Sequence, residues 1–290
     1  MKILVYPFSF SKGHKIRNYL DFLGIEYTRD ILEIDSCDLL WHWDAGNINS
    51  IPKSFIDSGK KIINSKCLNI KKDFVDKCFE KVFGYSLFIN PLKHQGFAVR
   101  KSTQQAVHDG QIIECPISKS KEKIRPTSND IKHKFTYQRL IDNRIFNTRN
   151  PVHCQGMQMI RDIRVPIIND TIPLVWFKDK NIRNTFEPLP NRAPNRDQLM
   201  MKCSVEYDVN KVFTKDEQQK IIGFCKESGV DVADLDILRD NGTGQIYIID
   251  INNIAANTLF SKLTKEDKNK SIEIVSFYLK KYLDKLLQDE

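Results

Sequence analysis

Residues Gln245–Thr258 read QIYIIDINNIAANT, an apolar segment that ends in a carboxylate and two amides. The run QIYII is β-branched, aromatic and apolar, which predicts a buried strand. Asp250, Asn252 and Asn253 follow it directly. The upstream segment VADLDILRD carries further acids within an apolar run: Asp234, Asp236 and Asp240. Two strands with oxygen ligands at their ends indicate a site for a hard cation such as Mg²⁺.

The spacing of these residues predicts which of them act together. If the two strands pair in antiparallel fashion, Asp236 and Asp250 can lie side by side. Asn252 then faces the same way as Asp250, because side chains alternate along a strand. Two carboxylates and one amide oxygen suit Mg²⁺, with Mn²⁺ as the alternative ion. The competing interpretation is an ordinary β-hairpin whose turn, DNGTG, has polar flanks.

The composition is that of a globular protein with one large or two modest domains. The chain has 290 residues, of which 41% are hydrophobic and 28% charged. No apolar run reaches the roughly 18 residues of a membrane span, so no membrane segment is expected. The seven cysteines are scattered without a CxxC pair, which favours reduced thiols and a cytoplasmic location over a zinc site.

The net charge of +8 raises the question of nucleic-acid binding. The lysines, however, are dispersed and alternate with acids, as in the C-terminal segment 261–290, which predicts an amphipathic helix with a charged solvated face. A basic cleft for a phosphorylated or acidic small ligand explains the charge equally well. We therefore expect no nucleic-acid partner.

Secondary-structure patterns divide the chain into three parts. The first 66 residues alternate strand and helix patterns, which predicts a small parallel α/β layer. A helix pattern ending at Gly84 and short strands follow, among them SLFIN, GFAVRKS, GQIIECPI and FTYQRLID. Longer strands come next, with a hairpin turn at Asn169-Asp170. A later helix carries a predicted capping box at Thr214 and Glu217 and ends at Gly229.

Several cations stand where a phosphate could be bound. Lys101 ends the strand GFAVRKS, beside the polar loop STQQAVHDG that contains His108. A lysine so placed can neutralise a phosphate, although a solvated strand end is the competing interpretation. His108 could contact phosphate or substrate, or be solvated in its loop. The further cations lie on later strands and in a Pro-rich loop at 181–198: Arg161, Arg164, Lys178, Lys180, Arg183 and Arg239.

Guanidinium forks suit carboxylates and phosphates, so Arg161 and Arg164 are candidates for binding either. They flank Asp162, and a structural ion pair between Asp162 and a neighbouring base is the alternative. Arg239 is either a phosphate ligand or a solvated strand end.

Taken together, these segments resemble the ATP-grasp superfamily, most closely from Lys101 to Thr258. LDILRDNGTGQIYIIDIN is similar to the family's paired metal strands, with Asp236, Asp250 and Asn252 as the implied ligands. FTYQRLID looks like the adenine hinge, which implies nucleotide contacts at Gln138, Arg139, Leu140 and Ile141, together with Lys101. MIRDIRVPII looks like the strand after the hinge. The phosphate loop departs from the family because it is poor in glycine, and Asp stands at 250 where many relatives have Glu.

The resemblance implies a fold of mixed α/β and α+β class. Two α+β subdomains would clasp ATP, and a small parallel α/β domain would precede them. The expected boundaries are 1–66 for the first domain, 67–137 for the N-terminal subdomain and 138–290 for the C-terminal subdomain with the metal site.

The resemblance also implies an ADP-forming ligase that uses ATP and Mg²⁺. A carboxylate would be activated as an acyl phosphate and attacked by an amine, with Arg164, Lys178 and Arg239 as catalytic cations. A small-molecule kinase that phosphorylates a hydroxyl is the alternative, and a non-catalytic nucleotide-binding protein is a second one. The sequence does not identify the substrates or the oligomeric state.

The substrate is expected between the first domain and the C-terminal loops. The segment DLLWHWD ends a predicted strand, and open α/β sheets bind ligands at such ends. Trp43 and Asp44 are therefore substrate candidates, with Trp43 as a core residue in the competing interpretation. Arg161, His108 and Arg183 are further candidates, the last because its loop could close over an anionic substrate.

Overall fold

The computed structural model describes residues 1–7, 14–44, 46–104, 110–118, 135–145, 159–181, 201–254 and 258–288. Three β-sheets and five α-helices organise these residues. No helix within these ranges is long and apolar enough to cross a membrane.

The first sheet is parallel and has four strands in the order β2-β1-β3-β4. This confirms the predicted parallel layer, in which β1 and β3 are the buried central strands. Its elements are β1 (Lys2–Pro7), α1 (Lys15–Leu23), β2 (Glu26–Thr28), β3 (Leu39–Trp43), α2 (Lys53–Asp57) and β4 (Ile62–Ile63).

The second sheet is antiparallel and has three strands in the order β6-β5-β7. The segment SLFIN differs from its prediction as a strand, because it contributes only an isolated bridge between Phe88 and Gln138. The elements of this region are α3 (Lys72–Phe83), β5 (Gly96–Ser102), β6 (Gln111–Cys115) and β7 (Phe135–Arg139).

The third sheet is antiparallel and has five strands in the order β10-β9-β8-β11-β12. The predicted hairpin turn joins β8 to β9, and Asn169 takes the positive φ of 53° that the turn requires. The capping box of the predicted helix is present, with Thr214 and Glu217 bonded reciprocally. The elements are β8 (Met159–Ile168), β9 (Val175–Asn181), β10 (Lys202–Glu206), α4 (Lys215–Ser228), β11 (Val232–Arg239), β12 (Ile246–Asn252) and α5 (Lys265–Gln288).

The five-stranded sheet is covered on both faces, and its strands are correspondingly apolar. On one face, Leu235 and Ile237 of β11 lie in a core with Phe79 of α3 and Phe224 of α4. On the other face, Trp176 of β9 lies in a second core with residues of α1, α5 and the first sheet. The first sheet therefore packs against the same face of the five-stranded sheet as α5.

One amide joins the first sheet to the five-stranded sheet. Asn64, directly after β4, is 1% exposed. Its Oδ1 accepts the backbone N–H groups of Asp231 and Val232 at 2.9 Å each, and its Nδ2 donates to the Val232 carbonyl at 2.8 Å. The Asn64 N–H donates to the Asp231 carboxylate at 2.6 Å. We call this set of four bonds the Asn64 clasp.

Candidate functional site

Strand alternation collects the candidate residues on one face of the five-stranded sheet. Successive side chains point to opposite faces. On β11, the odd-numbered Leu235 and Ile237 face α3 and α4. The even-numbered Asp234 and Asp236 therefore face the first sheet and α5. The same alternation brings their neighbours to this face: Asp162 and Arg164 of β8, and Trp176, Lys178 and Lys180 of β9.

Asp236 is the centre of the group. Arg164 binds its carboxylate with both arms of the guanidinium, Nε to Oδ1 at 2.8 Å and Nη2 to Oδ2 at 2.5 Å. Lys178 Nζ donates to Oδ1 at 2.8 Å. The strand register explains this contact, because Asp236 lies directly opposite Arg164 across the β11–β8 pair. Two of the three predicted catalytic cations thus meet on one predicted metal ligand.

The ionisation of this group follows from its burial and its charges. Burial raises the pKa of Asp236, but Arg164 and Lys178 outweigh it and hold that pKa well below its usual 3.8. Burial, and then the neighbouring Arg164, lower the pKa of Lys178. Burial also lowers the pKa of Lys180, but Asp162, at 2.5 Å from its Nζ, raises it more. Asp236 is therefore ionised across the neutral pH range.

The oxygen ligands of the predicted metal site lie on adjacent strands. Asp250 is directly opposite Asp236 in the β11–β12 pair, as the antiparallel arrangement predicts. Asn252 Nδ2 lies 3.3 Å from Asp236 Oδ2, which leaves its Oδ1 as the atom for a cation. Within the described residues, no cluster of three His, Cys, Asp or Glu side chains could hold a metal ion. Two carboxylates and one amide oxygen still suit Mg²⁺. Each Asp236 oxygen already accepts two hydrogen bonds, so a cation bound there would displace at least one of these donors.

The structure adds a buried ion pair that the sequence did not indicate. Lys15 Nζ, at the start of α1, donates to Asp234 Oδ2 at 2.5 Å, and the two residues are 1% and 4% exposed. Arg164 Nη1 lies 3.7 Å from the same Asp234 oxygen. The pair therefore links the first sheet's helix to the Asp236 group. A lysine at a helix start carries no sequence signal for such burial, because its partner is 219 residues away.

The predicted adenine hinge lies at the end of β7 and beyond. Gln138 is 3% exposed, and its side-chain amide donates to the Asp76 carboxylate of α3 at 3.1 Å. The Arg139 N–H donates to the Leu87 carbonyl at 2.8 Å. Leu140 is half-buried and Ile141 is buried. Adenine would have to meet hinge groups other than the Arg139 N–H, which is already used.

Lys101 lies on β5, opposite Thr136 of β7 in the three-stranded sheet, and is half-buried. Its prediction as a phosphate ligand stays a prediction. His108 and Arg183, and with them most of the 181–198 loop, lie outside the described residues.

The other substrate candidates have defined surroundings. Trp43 is 3% exposed and packs in the core between the first sheet and the five-stranded sheet. Asp44 follows it, and its carbonyl accepts from Asn253 Nδ2 at 2.7 Å, so the ends of β3 and β12 meet. Arg161 forms a two-armed pair with Asp179, both bonds being 2.8 Å. The Arg161 side chain remains 41% exposed beside this pair, and its prediction as a substrate contact stays a prediction.

Arg239 does not join the Asp236 group. It lies three residues along β11, so its side chain faces the opposite side of the sheet. Its guanidinium binds Glu217 of the capping box at 2.8 Å, and the Val212 and Gly244 carbonyls at 2.7 Å each. In the structure Arg239 anchors the start of α4 to the β11–β12 hairpin, so these contacts give no support to its predicted catalytic role.

Comparisons with known proteins identify the fold of the chain through solved structures. No protein-family model matches the chain, and no curated protein matches it significantly. Solved structures match along nearly its whole length. The ligase PsnB, complexed with a phosphomimetic variant of its minimal precursor, Mg and ADP, has a TM-score of 0.58 at 9% identity, covering 98% of both chains.

A D-alanine–D-alanine ligase from Bacillus anthracis matches with a TM-score of 0.56 at 11% identity, covering 99% of this chain and 96% of the other. PsnB is described as an ATP-grasp ligase. The chain has the ATP-grasp fold. The predicted resemblance to the ATP-grasp superfamily is thus confirmed at the level of the fold.

Proposed function

We propose that the chain is an ATP-dependent ligase that activates a carboxylate as an acyl phosphate, joins it to an amine, and releases ADP and phosphate. The observation that carries this proposal is the Asp236 group within an ATP-grasp fold. Two buried cations, Arg164 and Lys178, share one carboxylate beside two further oxygen ligands, Asp250 and Asn252. Such a group can bind phosphate oxygens and a cation together.

The side chains have distinct roles in this proposal. Asp236, Asp250 and Asn252 would hold Mg²⁺, which when bound neutralises charge on the ATP phosphates. Arg164 and Lys178 bind oxygens of the transferred phosphoryl group, where negative charge is spread in the transition state. Lys101 and the 138–141 hinge bind the remaining nucleotide.

The chemistry needs no protein nucleophile. A carboxylate oxygen of the substrate attacks the γ-phosphorus, the bond to the β-phosphate oxygen breaks, and ADP leaves. The amine nitrogen then attacks the acyl carbon, and phosphate departs with the electron pair of the carbon–oxygen bond as the amine loses a proton. The matched structures support this class of reaction. PsnB is complexed with a precursor peptide and AMPPNP, and the B. anthracis ligase with ATP. A small-molecule or a peptide acceptor is therefore the substrate class to test.

The test is a screen of carboxylate and amine pairs with MgATP, with nucleotide and phosphate measured together. We expect ADP and one phosphate per amide, and trapping of the acyl phosphate by hydroxylamine. Oxygen-18 in the substrate carboxylate should appear in the phosphate. ADP with a phosphate ester and no free phosphate would instead identify the kinase alternative. AMP with pyrophosphate, or an absence of MgATP binding by calorimetry, would overturn both.

A further inference from the structure

A small cavity lies between the first sheet and the five-stranded sheet. Its volume is about 30 Å³. A water needs roughly 10–15 Å³ of such space, so the cavity has room for about two waters or one small anion. Asn252 of the candidate metal site also lines it, so the cavity adjoins that site. The residues that matter for its chemistry are Lys15, Tyr19, Trp41, Trp43 and Asp234.

Three polar atoms of this lining are buried without a hydrogen-bond partner among the described residues: Tyr19 Oη, Trp41 Nε1 and Trp43 Nε1. An indole N–H can only donate, and a phenol can donate as well. Buried polar groups are almost always hydrogen-bonded in folded proteins. Three donors around one cavity therefore indicate an occupant that accepts hydrogen bonds.

Trp176, the third tryptophan of the chain, differs from Trp41 and Trp43 because its indole N–H has a hydrogen-bond partner within the part of the chain that the structure describes. Trp176 Nε1 donates to Ser271 Oγ at 3.2 Å, so its hydrogen-bonding capacity is used within the protein. Its ring supports Lys15 instead, with Nζ 3.8 Å from the ring centroid. The two indoles without a partner in the described residues are those that line the cavity.

The cation beside the cavity is Lys15, whose ammonium group lies 2.5 Å from Asp234, the acid of the lining. Arg164 Nη1 lies 3.7 Å from the same carboxylate, but its Nε and Nη2 bind Asp236. Burial, which outweighs the attraction of Asp234, lowers the pKa of Lys15 from 10.5 to about 8. A negative charge in the cavity would offset the burial of this ammonium group.

We propose that the cavity binds a small monovalent anion, either a free ion such as chloride or formate or the carboxylate end of a larger ligand, through Tyr19, Trp41 and Trp43 beside Lys15. The shared chemistry is one negative charge with several acceptor lone pairs and a volume no larger than a carboxylate. A whole amino acid exceeds the available space, and a sulfate or phosphate would bring a second negative charge beside Asp234 that Lys15, the cation of the lining, does not offset.

The position of the tryptophans makes the proposal measurable in the intact protein. All three tryptophans line the cavity or contact Lys15, so intrinsic fluorescence reports on this region alone. We expect a saturable change of tryptophan emission on titration with sodium formate or sodium bromide at constant ionic strength. Sodium sulfate should give none. Bromide in a crystal should give an anomalous-scattering peak within hydrogen-bond distance of Trp41 and Trp43.

Tyr19→Phe removes one proposed donor and no described hydrogen bond. It should weaken formate binding by about tenfold, the usual effect of a hydrogen bond to a charged group. Tyr85→Phe is the matched control, because the Tyr85 hydroxyl donates to the Ile246 carbonyl at 2.8 Å and does not line the cavity. That variant should bind formate as the wild type does.

Equal formate affinity in wild type and Tyr19→Phe would overturn the proposal by placing the anion outside this cavity. No saturable change with any small anion and no bromide peak would also overturn it and leave buried water as the occupant. The titration contains no nucleotide, so its outcome is independent of the ligase proposal. A substrate carboxylate as the natural occupant predicts that formate competes with the acid found in the acceptor screen. A free anion predicts binding of chloride without an effect on the KM of that acid.

Discussion

At the scale of single residues, Asp236 occupies an unusual position because it serves two kinds of partner. In the structure its two oxygens are bound by Arg164 and Lys178. In the proposed function the same carboxylate also binds a cation. In that proposal, Arg164 and Lys178 neutralise Asp236 in the absence of nucleotide and would turn to the phosphates when ATP binds.

Asp250→Asn tests the proposed metal site. The amide keeps the size of the side chain but loses a charge that the cation needs, so turnover should fall about a hundredfold or more. Ligase turnover measured by ADP release, with circular dichroism for the fold, checks this. Asp240→Asn is the control on the same hairpin, because Asp240 bonds the turn residues Gly242 and Thr243. Wild-type turnover in Asp250→Asn would remove Asp250 from the metal site.

Asp236→Asn should destabilise the fold by about 3 kcal/mol at pH 7, because it leaves Arg164 and Lys178 buried with less counter-charge. The lowered pKa of Asp236 determines how its contribution to the free energy of unfolding depends on pH. Its stabilisation is full above the unfolded-state value of 3.8 and is lost as pH falls below it. The difference in unfolding free energy between wild type and variant should thus shrink from pH 7 to pH 3. Urea unfolding at both pH values measures it, and an unchanged difference would contradict the assignment.

Lys101→Ala tests the proposed phosphate contact on β5. Loss of one cation should weaken ATP binding by about tenfold while affecting the second substrate less. Calorimetry with ATP measures this. Arg100→Ala is the control, since Arg100 faces the other way and stacks on Phe135, 3.4 Å from its centroid. Equal ATP affinity in wild type and Lys101→Ala would place the lysine outside the site.

At the scale of elements, the sequence predicts strands and caps well and contacts across the sheets poorly. The β11–β12 pairing of Asp236 with Asp250 follows from local patterns, as does the capping box at Thr214. The sequence did not reveal that Arg239 lies on the face opposite the Asp236 group, because that face depends on the phase of the strand alternation and not on the charge. Lys15 was missed because its partner, Asp234, comes from a distant strand.

The C-terminal end of α4 packs closely against the backbone of Lys66, and Gly229→Ala tests this close approach. Gly229 has φ +76°, and a Cβ there would lie 2.3 Å from the Lys66 carbonyl oxygen. Gly84 ends α3 with φ +79° but has open space around a Cβ. Both variants carry about 1–2 kcal/mol of left-handed backbone strain. Gly229→Ala should therefore lower the unfolding free energy clearly more than Gly84→Ala in urea titrations; equal losses would contradict the close approach.

At the scale of the whole molecule, the order of the segments predicts the fold. It does not predict which sheets and helices, distant in sequence, pack against one another. The parallel layer, the strand predicted as an adenine hinge and the two strands predicted to hold a metal each have local signatures. The packing of α3 against β12 and α4, and of the first sheet against the face that carries the Asp236 group, arises from long-range burial. Such contacts leave no periodic trace in one sequence.

Binding of MgATP should raise the free energy of unfolding of the whole molecule, and the increase should require both Mg²⁺ and ATP. MgATP at about 100 times its Kd should add about 2.7 kcal/mol and raise the Tm by several degrees. Mg²⁺ alone should raise it little, because Arg164 and Lys178 already neutralise Asp236. Calorimetric melting of wild type and Asp250→Asn with each addition measures this. A full shift with Mg²⁺ alone would mean that the cation binds without the nucleotide.

The Asn64 clasp has a consequence for how this protein can be recombined. A chimera that exchanges residues 1–66 for those of another ATP-grasp chain would lose the amide that bonds Asp231 and Val232. It would also lose Lys15, the counter-ion of Asp234. The first 66 residues and β11 therefore need to be exchanged together. A chimera that replaces only the first 66 residues should leave the buried Asp234 with Arg164, 3.7 Å away, as its remaining cation.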